Sequence, residues 1–171
     1  MKQKEILLFG ATGQIGRNLI RKLTKNNYRV IAVTRNVHTA GYMLKTQANP
    51  GYLDLVEINN FKYDIIDDLV KKCSICINLV GILYESKNNR FEAIHRDLPN
   101  MLSKISQKHK IEKFIHISAL GNEKAIDSKY AISKLEGERK AINNFKNTII
   151  LKPSIVYSVD DNFTTNFMTL L

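Results

Sequence analysis

Apolar residues along this chain follow two alternating patterns. Short runs rich in Ile, Val, Leu and Phe are separated by stretches in which apolar positions recur every three or four residues. Glu5 to Phe9, Tyr28 to Val33, Leu53 to Ile58, Ile75 to Val80, Lys113 to Ile117 and Thr148 to Leu151 are of the first kind and predict strands. Ile15, Leu19, Ile20 and Leu23 share one helical face, and Ile65 to Val70 predicts a shorter helix. Met101, Ile105 and Ile111 mark a longer helix opened by Asp97 and Pro99, and Lys129 to Asn143 predicts another. The stretch from Ala40 to Gly51, punctuated by Gly, Pro and Asn, predicts a connecting loop. Alternation of strand and helix on this scale predicts an α/β fold, a doubly wound parallel sheet with helices on both faces.

The pattern shows no internal repeat and no linker, so residues 1–171 are expected to form one domain. Asp160 and Asp161 are good helix-capping residues, and Phe163, Phe167, Met168, Leu170 and Leu171 then supply an apolar face up to the last residue. The expectation is a domain incomplete at its C-terminus, whose last helix packs on an element of another segment or chain.

Composition adds an ordinary globular balance, 44% apolar and 25% charged, which excludes collagen-like and disordered classes. The net charge of +10 raises nucleic acid or an anionic surface as partners. Yet 19 of the 26 cations are Lys, and together with abundant Asn and Ile this reads as the codon bias of an AT-rich genome. No nucleic-acid partner is predicted from charge alone. The apolar run from Ile75 to Leu83 falls well short of the ~20 residues a membrane span needs. No span and no secretory leader are predicted, and the expected location is cytoplasmic, extending to peripheral attachment at the inner membrane's cytoplasmic face. Cys73 and Cys76 follow a helical segment rather than opening one, so a helix dipole cannot activate them. They are expected to be buried thiols in a reducing compartment. His38, His95 and His109 read as loop or helix-surface residues, His116 as a core residue or else a support for Ser118 on the same strand face, and no spacing suggests a metal site.

The strongest chemical signal is Gly10-Ala11-Thr12-Gly13-Gln14-Ile15-Gly16, placed between the first strand and the first helix. In that context Gly10 and Gly13 let backbone approach a pyrophosphate, Gly16 lets helix and sheet pack closely, and the helix N-terminus faces the phosphates. A dinucleotide-binding Rossmann fold is the reading. NAD would call for an acid at the end of the second strand, but Val33-Thr34-Arg35-Asn36 stands there, and no acid lies between Glu5 and Asp54. Arg35 and Arg17 suit a 2′-phosphate, so NADP(H) is preferred, with NAD(H) as the alternative.

A second constellation follows the fifth strand: Ser118, then Tyr130-Ala131-Ile132-Ser133-Lys134. Tyr130 and Lys134 lie one helical turn apart, where an ammonium would lower a phenol's pKa toward working pH. Such a phenol exchanges a proton with a carbonyl while nicotinamide exchanges hydride, and Ser118 would hold the substrate oxygen.

With these residues in hand the chain resembles the atypical or extended branch of the short-chain dehydrogenase/reductase superfamily. Asn78 to Glu85, Phe114 to Ser118, and Lys152-Pro153-Ser154-Ile155-Val156-Tyr157 with Asp160 to Phe163 resemble one group within it. That group is the NAD(P)H-binding accessory subunit of respiratory complex I with its bacterial relatives. The resemblance implies Gly10, Thr12, Gly13, Gln14, Ile15 and Gly16 at the phosphates and Arg17 and Arg35 at the 2′-phosphate. It further implies Asn60 near the adenine, Leu79, Val80 and Gly81 near ribose and nicotinamide, and Tyr130, Lys134 and Pro153 at the nicotinamide end. The usual acidic residue of the third strand is replaced by Asn59-Asn60. The group's small C-terminal lobe is absent from this sequence, so the isolated chain is expected to be inactive or very slow.

Three functions follow as expectations. The first is an accessory protein of complex I with NADPH as a structural ligand. The second is an NADP(H)-dependent reductase, dehydrogenase or epimerase using Ser118, Tyr130 and Lys134. The third is a nucleotide-sensing regulator that performs no chemistry.

Overall fold

The structure, a computed structural model, describes residues 4–87 and 89–157. Among the described residues six strands form one sheet: β1 (Glu5–Phe9), β2 (Arg29–Thr34), β3 (Leu53–Glu57), β4 (Ile75–Asn78), β5 (Lys113–Ile117) and β6 (Thr148–Leu151). Their order is β3-β2-β1-β4-β5-β6, and every pairing is parallel. The strand order reverses between β1 and β4, which opens a crevice at the C-terminal ends of those two strands. Strands agree with the sequence reading to within two residues, because buried parallel strands need continuous apolar runs, which this sequence supplies.

Two apolar layers hold helices on the sheet. On one face α1 (Gln14–Lys25) and α2 (Val37–Lys45) bury Ile20, Ala40 and Leu44 against Ile6, Leu8, Val30 and Ala32. On the other, α3 (Tyr63–Val70), α4 (Leu98–Lys108) and α5 (Lys129–Asn144) cover Leu7, Phe9 and Phe114 with Ile66, Val70, Leu102, Ile105 and Ala141. Alternate residues of β1 thus feed opposite layers, as a period of two requires.

Two helices differ from the sequence reading. Residues 40–45, the first part of the stretch expected to be loop, belong to α2, which Asn36 caps by accepting a hydrogen bond from the Thr39 N–H at 3.0 Å. The helix expected to open at Asp97 and Pro99 begins at Phe91, with a π-helical segment over Glu92–Asp97 that runs directly into α4. Pro99 sits where the π-helical segment meets α4, at the change of helical pitch. Ile111, expected to extend α4, is buried just beyond it.

Cys73 and Cys76 are free thiols in the core. Burial pushes Cys73 up to about 12 and Cys76 well above the ordinary thiol value, so neither offers a thiolate. No helix among the described residues is long and apolar enough to cross a membrane. The amphipathic segment from Asp160 to Leu171 lies outside the described residues.

Candidate functional site

The site begins where β1 ends. At Gly10 φ is +79°, and a Cβ there would meet the Leu79 carbonyl carbon at 2.8 Å, so the ends of β1 and β4 approach backbone to backbone. A Cβ at Gly16 would lie 2.4 Å from the Gly10 oxygen and 2.6 Å from the Ala11 oxygen. Gly16 was expected to bring helix and sheet together; the backbone it admits is that of the loop itself. Gly13 is the N-cap of α1, with no side-chain cap and no acid in the first turn, leaving the helix's positive end uncompensated.

Against this loop lies a cavity of about 230 Å³, bordered by Gly10, Thr12, Gly13, Arg35, Leu79, Val80 and Gly81. Phe9, Val33 and Ile58 supply apolar wall. Asn60 borders an adjoining hollow that also meets Arg35. Another, shared by Thr12, Thr34, Arg35 and Asn36, is also lined by Met43. Arg17 Nη1 lies 3.6 Å from Met43 Sδ, which places its guanidinium beside that corner. Gln14 and Ile15 form the first turn of α1 behind the loop. Glu57, at the end of β3, has its carboxylate on the Val37 N–H at 2.8 Å.

The far end is shaped by Asn78, to which the sequence reading assigns no role of its own. Its side-chain oxygen accepts the Val80 N–H at 3.1 Å, and its amide lies 3.2 Å from His116 Nδ1, so the residue steers the chain as β4 ends. Both ends of this pair are buried. Beyond it, Lys134 Nζ lies 3.4 Å from where a Gly81 Cβ would stand and donates to the Ile117 carbonyl at 3.2 Å. Burial lowers its pKa to about 8, against an opposing pull from Glu138. Lys134 therefore backs the Gly81 end of the cavity.

Tyr130 and Ser118 are placed differently. The Tyr130 ring meets His95 and Phe91 edge to face, with centroids at 5.2 and 5.8 Å. Burial raises its phenol pKa, the opposite of the lowering expected from a lysine one turn away. The Ser118 hydroxyl donates to Glu138 and accepts from Asn122 Nδ2 at 3.2 Å. Glu138 is buried and also pairs with Lys152 at 2.8 Å. Pro153 sits past β6, where its carbonyl accepts the Leu120 N–H at 3.0 Å.

His95, read from the sequence as a surface residue, is fully buried. A signal for it existed: a helix started at Phe91 puts Phe91, Ile94, His95, Leu98 and Leu102 on one face. Glu138 had no comparable signal, because nothing local marks a buried glutamate whose partners come from two other elements.

Comparison with known proteins places this geometry in context. Residues 6–171 match the NAD dependent epimerase/dehydratase family. Among relatives, subunit 9 of the NADH dehydrogenase [ubiquinone] 1 alpha subcomplex, mitochondrial, from Mus musculus is 30% identical over 161 residues, covering 94% of this chain and 42% of that protein. A ceramide reductase from Caulobacter vibrioides is 24% identical over 167 residues, covering 96% of this chain and 50% of the enzyme. The chain thus spans at most half the length of these two relatives. In structure it is similar to the Bordetella bronchiseptica enzyme WbmH, solved with NAD+, at a TM-score of 0.79 and 14% identity, covering 98% of this chain and 62% of that one.

Proposed function

The chain belongs to the NAD dependent epimerase/dehydratase family, and on that premise we propose that it holds a nicotinamide dinucleotide, NADP(H) in preference to NAD(H), as a structural ligand of an accessory protein of respiratory complex I. The observation that carries the reading is the cavity running from the glycine loop to Gly81. Backbone walls one end, where added Cβ atoms would collide, and a buried lysine backs the other. Gly10, Thr12, Gly13, Gln14, Ile15 and Gly16 would hold the pyrophosphate, with the positive end of α1 behind them. Arg35 and Arg17 would meet the 2′-phosphate and Asn60 the adenine side. Leu79, Val80, Gly81, Tyr130, Lys134 and Pro153 would belong to the nicotinamide end. The mouse relative's name supports the complex I setting. When bound, the dinucleotide supplies a hydride donor or acceptor.

A structural rather than catalytic ligand is favoured by the polar groups of the expected triad. Ser118 has its hydroxyl on Glu138, and burial pushes Tyr130 away from phenolate. The second reading is a reductase, dehydrogenase or epimerase using Ser118, Tyr130 and Lys134. It is favoured by Lys134, whose pKa near 8 suits proton exchange. A regulator without chemistry finds no specific support in the site.

The test combines melting and turnover. A saturating excess of NADPH is expected to raise Tm by about 5–10 °C, the effect of roughly 100 times Kd on a domain of this size. NADPH should not be consumed when carbonyl substrates are added, and Tyr130→Phe should leave the thermal shift intact. Turnover that Tyr130→Phe abolishes would instead establish the enzyme reading.

A further inference from the structure

The π-helical segment carries an imidazole whose every polar contact reaches the candidate site. The Ile82 N–H donates to His95 Nε2 at 3.1 Å, and His95 Nδ1 stands 2.9 Å from Ser133 Oγ. Ser133 Oγ in turn donates to the Tyr130 carbonyl at 2.7 Å. These contacts fix the proton. Nε2 must offer a lone pair to the amide, and a serine that gives its hydrogen to a carbonyl must accept at Oγ, so Nδ1 carries the hydrogen. The ring is therefore a neutral imidazole in one tautomer, joining the loop after Gly81 to the first turn of α5.

Packing holds it there from three sides. Phe91 stacks on the imidazole at 5.3 Å, and the Tyr130 ring meets it edge to face. α5 approaches so closely that a Cβ at Gly137 would fall 1.8 Å from the His95 carbonyl oxygen. Nε2 is also 3.8 Å from where a Gly81 Cβ would stand. A π-helical turn shifts the side chains that follow it relative to a regular helix, and such turns recur at functional sites. Here the turn places His95 between loop and helix.

We propose that His95 is a positioning residue for the nicotinamide end of the cleft, holding the Gly81–Ile82 backbone and the Tyr130 turn in register through its Nδ1–H tautomer. The proposal rests on the dinucleotide reading above and adds a residue to it. Burial agrees with it, holding the imidazole down at about 4, with the Lys134 charge acting the same way. His95 is thus neutral at working pH.

The proposal makes a selective demand. His95→Phe keeps the ring and its stacking but removes both hydrogen bonds. NADPH affinity is expected to fall about tenfold, while adenosine 2′,5′-bisphosphate, which has no nicotinamide, binds as it does to the unchanged protein. Ser133→Ala, which leaves the imidazole and its bond to Ile82 in place, should lose about threefold for NADPH alone, and serves where His95→Phe does not fold. Long-range 15N–1H correlation at pH 7 should show the Nδ1–H tautomer of His95 with or without nucleotide. An Nε2–H tautomer, or equal losses for both ligands, or no loss for either, would overturn the positioning role alone. Failure of the unchanged protein to bind either ligand would overturn it together with the dinucleotide reading.

Discussion

In the proposed reading, cofactor choice turns on Arg35. It is exposed at the end of β2, borders the glycine-loop cavity and both neighbouring hollows, and has no acid beside it in sequence. A guanidinium there offers a planar pair of donors to a 2′-phosphate, which a charged hydrogen bond stabilises by about 1.5–3 kcal/mol. Arg35→Ala is therefore expected to weaken NADPH roughly tenfold, about 1.4 kcal/mol, and to leave NADH within about twofold. Titrating the variant with both nucleotides checks this, and an equal loss for both would place Arg35 outside the 2′-phosphate site. Arg17 supports the same corner from α1 through its contact with Met43. Arg35 follows the second strand and Arg17 follows the glycine motif, positions readable from the sequence without knowledge of packing. Ser118 was legible only as a position: its commitment to Glu138 depends on a residue twenty places on, on another element.

Among the elements, α2 shows how a local signal can be outweighed when read by composition. Gly41 and the polar residues around it suggest loop, yet Asn36 caps the segment and Ala40 and Leu44 pack inward one turn apart. The cap has a measurable consequence. Asn36→Ala should destabilise the fold by about 1 kcal/mol and lower Tm by roughly 2–4 °C in a thermal melt; an unchanged Tm would mean the cap contributes nothing. The opposite error occurred at α4, where Asp97 and Pro99 are good opening signals but the chain is already helical from Phe91. Six strands were readable to within two residues because each is an apolar run with clear breaks, whereas a π-helical turn has no periodicity of its own to read. His95 lies in that segment, and its burial follows the apolar face that begins at Phe91.

At the scale of the whole molecule, two buried histidines make stability depend on acid. Burial, followed by the Lys134 charge, holds His95 at about 4 and His116 at about 3, below the ordinary 6.5. Between pH 6.5 and these values the unfolded chain binds more protons than the folded one, so stability is full above 6.5 and falls as pH drops. Asp67, held below the usual carboxylate range first by Lys108 and then by His109, adds its loss only in stronger acid. Calorimetry is expected to find Tm about 5–10 °C lower at pH 5 than at pH 7; equal values would mean the imidazoles are not held neutral. The sheet order, the glycine loop and the cavity at the strand-order reversal all support the central proposal, that this chain holds a nicotinamide dinucleotide, NADP(H) by preference. Fluorescence titration with NADPH and NADH, side by side at one salt concentration, tests it most directly. NADPH binding at least about tenfold tighter than NADH, a difference of about 1.4 kcal/mol, is the result the account predicts. Equal affinities would contradict the roles of Arg17 and Arg35, and a folded chain that binds neither nucleotide would contradict the account at its centre.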